Sequence, residues 1–154
     1  MTHPISIIGA PTDIGAGVRG ASMGPEALRV ANIVSVLQGL GLEVIDRGNL
    51  SGPPNPWLPP TEGYRHLAEV VAWNKAVHNG VHAELALGRM PILLGGDHCL
   101  GLGSITAVSR WCVDTADLPW RSVSVATIRP CSAVARRVTT PVSPLFSSTN
   151  SPGG

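Results

Sequence analysis

Apolar and polar positions along the chain follow two periods in turn. Ile5–Ile8 is an unbroken apolar run closed by Gly9, the pattern of a strand buried on both faces. From Pro25 to Leu40, residues Ala27, Leu28, Ala31, Val34 and Leu37 recur near helical spacing, which predicts one helix stopped by Gly39 and Gly41. Leu42–Asp46 (LEVID) predicts a second strand. Residues 51–60, SGPPNPWLPP, hold five prolines, so they predict a surface loop in which Trp57 packs locally. Glu62 to Leu87 predicts a long helix with Leu67, Val70, Val71, Val77, Val81 and Leu85 on its apolar side and Gly88 as its stop. Pro91 leads into a third strand, Ile92–Leu94, followed by Gly95-Gly96-Asp97-His98. Gly101–Arg110 opens a further helix. The order β-α-β-α-β-α predicts an α/β fold: a mostly parallel sheet with helices on both faces, three layers in all.

The pattern then changes. Residues 118–154 contain no Asp, Glu, Lys or His, while four arginines, five prolines and eleven Ser or Thr crowd into them. Val123–Ile128 suits a strand, and PVSPLFSSTNSPGG reads as a disordered tail. A soft boundary therefore falls near residue 113, dividing an α/β portion, 1–112, from a divergent and poorly ordered segment, 113–154. No internal repeat is visible.

Composition narrows the classes. The 154 residues are 44% hydrophobic, which suffices for a core, and the net charge of +1 gives no reason to expect a nucleic acid or an anionic membrane as partner. No apolar run approaches the roughly 18 residues that span a bilayer. The start, MTHPISIIGA, lacks a basic segment followed by a long apolar one, so no secretory signal is expected. Cys99, Cys112 and Cys131 are odd in number and show no CxxC spacing. Reduced thiols in a cytoplasmic protein are the simplest account.

Two stretches carry candidate chemistry. Gly15, Gly17 and Gly20 form a literal G-x-G-x-x-G after the first strand, and the acid Asp46 ends the second, as a nucleotide-binding unit would require. Against that, Ala-Pro-Thr-Asp-Ile separates the strand from Gly15, and the helix start lies later, at Gly24-Pro25-Glu26, where Pro25 suits the first turn and Glu26 the positive helix end. The glycines sit mid-loop, where a helix N-terminus cannot meet a pyrophosphate. The second stretch is LLGGDHCLG, residues 93–101. A buried strand ends in two glycines, Asp97 and His98, at the edge where parallel α/β sheets bind ligands. His98 can offer a neutral imidazole nitrogen to a divalent metal, with Asp97 orienting the ring. A strand-end turn with a hydrogen-bonded His fits the same four residues equally well.

GAPTDIGAGVRGASMGPEALR, then LEVIDRGNL, then PILLGGDHCLGLGSI, resemble the arginase family of ureohydrolases in order and spacing, over residues 4–112. The glycines then match that family's N-terminal loop. Agmatinase-like relatives usually place Pro after the loop arginine; here Gly20-Ala21 follows Arg19, which favours arginase. The resemblance implies hydrolysis of L-arginine to L-ornithine and urea by a hydroxide activated between two Mn²⁺ ions, and a trimeric or hexameric homo-oligomer. It makes His98 the first metal ligand, with Asp97 beside it in support.

The family's remaining ligands come from motifs of the types D-A-H-x-D and D-x-D-x-x-D-P, and neither occurs here. No His follows His98 and no acid follows Asp117. Asp114 and Asp117, in DTAD, are the last carboxylates and the one substitute pair to weigh, without an intervening His. The implied protein is thus an incomplete arginase-like sheet joined to an unrelated tail, truncated and inactive by itself. The alternatives are a non-catalytic fragment that associates with intact homologous subunits, another ureohydrolase such as agmatinase, and a nucleotide-binding domain. Elsewhere, His78 and His82 lie four apart on the long helix but lack the HExxH pattern, and a solvated face is expected. His66 and Glu69 are expected at the surface, Cys99 is expected to be a small buried residue in preference to a reactive thiol, and Arg136-Arg137 is too short for a nucleic-acid patch.

Overall fold

A computed structural model describes residues 3–115. The predicted strand at Val123–Ile128, the tail, Asp117, Cys131 and Arg136-Arg137 lie outside the described residues.

Three parallel strands form the sheet: β1 (Ile5–Ala10), β2 (Val44–Asn49) and β3 (Met90–Gly95), in the order β2-β1-β3. β1 is wholly buried, and its residues alternate between two cores. Ile5 and Ile7 face one side with Leu94; Ile8 and Ala10 face the other. The first core is closed by α1 (Gly24–Val30) and α2 (Ile33–Gly39) through Leu28, Ile33, Val34 and Leu37. The second is closed by α3 (Leu67–Ala86) and α4 (Gly101–Asp114) through Trp73, Val77, Val81, Leu85 and Ala107. The three-layer parallel α/β fold expected from the pattern is what forms.

Some boundaries differ from expectation, each for a local reason. The single helix expected over 25–40 is two, because Asn32 adopts the left-handed conformation (φ 67°) between them. Asparagine tolerates that conformation better than most residues, and here its Oδ1 accepts from the Ser35 hydroxyl at 3.0 Å. α3 begins at Leu67 and not at Glu62. Thr61 and Tyr64 exchange both backbone hydrogen bonds at 2.9 Å, which closes a tight turn before the helix, and His66 enters α3 at φ 47°. β2 runs on through Arg47-Gly48-Asn49, and α4 continues to Asp114, one turn beyond Arg110.

Connectivity prepares a crevice. The chain leaves β1 for the α1–α2 face and leaves β3 for the α4 face, so the loops after these paired neighbours diverge. In such sheets ligands bind at that divergence, beyond the carboxyl ends of the strands. Ala10 pairs with Gly95 there.

Candidate functional site

The crevice is built from backbone packing. The loop after β1 lies so close to β3's exit that a Cβ on Gly96 would stand 2.0 Å from the Ala21 carbonyl oxygen and 2.6 Å from that of Thr12. Only glycine fits at 96, which accounts for one of the two glycines in LLGGDHC. Asp97 follows in extended conformation and caps a 3-10 turn, His98–Leu100, that leads into α4. Its Oδ1 accepts from the Cys99 backbone N–H at 3.2 Å, and its Oδ2 accepts a short hydrogen bond from the Gly15 N–H across the crevice. Asp97 is therefore a latch between the two diverging loops. Both of its oxygens accept from backbone donors.

His98 stands exposed at the first position of the 3-10 turn. Its ring makes no hydrogen bond to another described residue, so a ring nitrogen is free to serve as a ligand. Cys99 is half-buried, and burial first, then the neighbouring Asp97 carboxylate, pushes its thiol up to about 11. It is protonated at neutral pH and is not a nucleophile there.

The other candidates are dispersed. Asp114 lies at the far end of α4, about 20 Å from its start at 1.5 Å rise per residue. It pairs with Arg110 Nε at 3.0 Å and sits 3.5 Å from His82 Nε2, so it is no substitute ligand beside His98. His78 and His82 do not line a solvated face. Their rings stack with centroids 6.0 Å apart, half-buried against α4, and His78 Nδ1 lies 3.1 Å from Thr106 Oγ1. His66 lies 2.9 Å from the Ile14 carbonyl and 3.1 Å from the Leu58 backbone, stitching two loops together. Asp46 is held by both Nε and an Nη of Arg29, at 2.8 and 2.9 Å. That engaged carboxylate, and a helix that starts only at Gly24, leave the nucleotide alternative without its parts. Among the described residues no three His, Cys, Asp or Glu side chains cluster as a metal site. The described residues thus do not fit a two-metal centre by themselves; they offer one imidazole.

A second concavity, not foreseen from the sequence, lies between the glycine loop and the proline loop. It is a broad concavity open to solvent, of about 650 Å³, and Asp13, Arg19, Trp57 and Trp73 are among its lining. Asp13 and Asn55, which join its walls, lie 42 residues apart, so no local motif marks them.

The family model for the arginase family matches residues 3–119. The chain belongs to the arginase family. Among its relatives, arginase from Brevibacillus brevis is 39% identical over 110 residues, and arginase from Staphylococcus aureus (strain COL) 35% over 112. Both alignments take in 71% of this arginase-family chain and 37% of the relative, so the chain spans a little over a third of their length. The solved structure of arginase from Bacillus caldovelox superimposes with a TM-score of 0.66 at 33% identity, again over 71% of this chain and 37% of that one. A putative agmatinase from Clostridium difficile shares the fold alone, with a TM-score of 0.50 at 16% identity.

Proposed function

We propose that this chain is the leading portion of a guanidino hydrolase that converts L-arginine and water to L-ornithine and urea, with His98 as one ligand to manganese. What carries this reading is the position of His98: an exposed imidazole at the carboxyl end of β3, on a turn fixed by Asp97. The carboxylates that a hard divalent ion prefers are not gathered around it, so hydrolysis needs ligands from polypeptide beyond the described residues. Taken by itself, this chain is inactive.

A chimera tests the proposal. Residues 3–112 replace the matching first part of Brevibacillus brevis arginase, and urea release from L-arginine is assayed with Mn²⁺. Activity that disappears with His98→Ala is the expected result. A folded chimera that makes no urea would count against the function, and robust urea production by the 154-residue chain alone would overturn its inactivity.

A second reading has its own observation. β3 pairs with β1 on one side only among the described residues, and Leu102, Ile105 and Val113 stand exposed along α4. An open parallel edge beside an apolar helix face suits association with an intact homologous subunit. Light scattering of the chain with and without such a subunit distinguishes a complex from two separate species.

A further inference from the structure

We propose that residues 53–66, the proline loop and the lead into α3, are a conformational strap coupled to the turn that carries His98, with His66 as the positioning residue that transmits the coupling. Releasing the strap loosens that turn. The coupling runs between loops of this chain and stands whether or not His98 takes up a metal.

One peptide unit carries the connection. It belongs to a tight turn, in which the Ala16 N–H donates to the Asp13 carbonyl at 3.0 Å and the Ile14 N–H to Thr12 Oγ1 at 3.2 Å. The Ile14 carbonyl accepts from His66 Nδ1 at 2.9 Å, and the Gly15 N–H donates to Asp97 Oδ2. That carbonyl and that N–H are the two ends of a single planar amide. His66 and Asp97 therefore grip one rigid plate from opposite sides, and a rotation that lengthens one bond lengthens the other. With its proton on Nδ1, the His66 ring accepts the Leu58 N–H at Nε2, 3.1 Å away, which ties the plate to the proline loop. Ile14 is fully buried in the core cluster that holds Trp73 and Leu100, so the turn cannot drift to absorb the motion.

The strap is held under strain. Trp57, Glu62 and His66 are three non-glycine residues in the left-handed region, at φ 55°, 52° and 47°. Such backbone is unfavourable for a residue with a Cβ and persists where surrounding contacts over-determine it. Here Asn55 donates to the Asp13 carbonyl at 2.8 Å and accepts from the Trp57 N–H at 2.9 Å. The Arg19 guanidinium lies over the Trp57 ring, 4.9 Å from its centroid, and the Trp73 indole N–H donates to the Pro53 carbonyl at 2.9 Å. The His66 ring is the anchor that also holds the shared amide. Without it the strap is free to relax toward ordinary backbone angles, and the Gly15 N–H is held toward Asp97 from one side only.

Hydrogen exchange of the full chain, read amide by amide by NMR, tests the coupling. His66→Gly removes the ring and suits the left-handed backbone at that position, so loss of the ring is read without added strain. Gly15 exchange is expected to rise roughly fivefold, the loss of one ordinary hydrogen bond. The control is Gly48, whose N–H donates to Asp46 Oδ1 at 2.8 Å in β2, a backbone-to-carboxylate bond of the same kind; its rate is expected to stay unchanged. Coupling between two sites is reciprocal, so Asp97→Ala is expected to raise Leu58 exchange by a similar factor, again with Gly48 unchanged. Unchanged exchange at either reporter, or an equal rise at Gly48, overturns the proposal. The two arms are independent, so each decides alone where the other variant does not fold.

Discussion

The latch across the crevice yields a prediction that separates its role from that of a metal-site carboxylate. Asp97→Ala removes two acceptors, one from Gly15 and one from Cys99 at 3.2 Å. A hydrogen bond to an ionised group contributes about 1.5–3 kcal/mol, and the longer bond falls below that range. Because Asp97 is half-buried, the lower end applies, and the loss is about 2–3 kcal/mol. Gly15→Ala attacks the same contact from the other side. Gly15 is not in the left-handed region, so the backbone accepts alanine, but the new Cβ would stand 2.9 Å from Asp97 Oδ2. Displacing that carboxylate costs about 1–2 kcal/mol, partly offset by a stiffer unfolded chain. In the double variant the carboxylate is already gone, so Gly15→Ala becomes nearly neutral. Urea denaturation followed by tryptophan fluorescence, on wild type, both single variants and the double, gives the coupling directly. The expected coupling is about 1–1.5 kcal/mol; additivity within about 0.5 kcal/mol would refute the latch.

Other outcomes follow from the same geometry. Glu84, 5% exposed at its side chain, accepts from Arg47 Nε at 2.9 Å and Arg89 Nη1 at 2.8 Å; Glu84→Gln should cost about 2 kcal/mol in urea melts, discounted because Arg47 is half-exposed, and a neutral result would mean the triad contributes nothing. Asp46 is held below its ordinary 3.8, chiefly by the hydrogen bond from Arg29, which outweighs burial. A depressed folded value stabilises fully above the unfolded one and is lost as pH falls through the folded one, so the gap in Tm between wild type and Asp46→Asn should shrink on acidification below about pH 4. A constant gap would place the stabilisation elsewhere. His98→Ala should leave the melting curve of the chain within about 0.5 kcal/mol of wild type, since the ring is exposed and makes no hydrogen bond to another described residue.

What the sequence made legible is what local pattern controls. The run Ile5–Ile8 announced a central strand because both its faces are buried, and LLGGDHC announced a strand end because a backbone that turns there needs glycine. The apolar pattern ends β2 at Asp46, three residues before the strand does. Its continuation, Arg47-Gly48-Asn49, is polar because these side chains serve distant ion pairs and hydrogen bonds, Arg47 with Glu84 and Asn49 with Arg29. α3's apolar side was only partly right, since Leu67 and Val71 remain 55% and 43% exposed, while Trp73, off that stripe, is buried against the proline loop.

The chemistry of an acid in a loop is decided by partners that no spacing rule reaches. Asp97 sits next to His98 in sequence and would be assigned to it, yet its strongest partner is a backbone N–H 82 residues away. Asp13, which no motif singled out, is buried where Asn55 arrives from the proline loop and Trp73 from α3. Both outcomes have one cause. The parallel sheet sends the loops after β1 and β3 in opposite directions from adjacent strand ends, so polar groups of the early glycine loop must meet those of later segments at that edge. Asp97 closes the crevice through two backbone donors. A metal at His98 then depends on acids from another part of the fold.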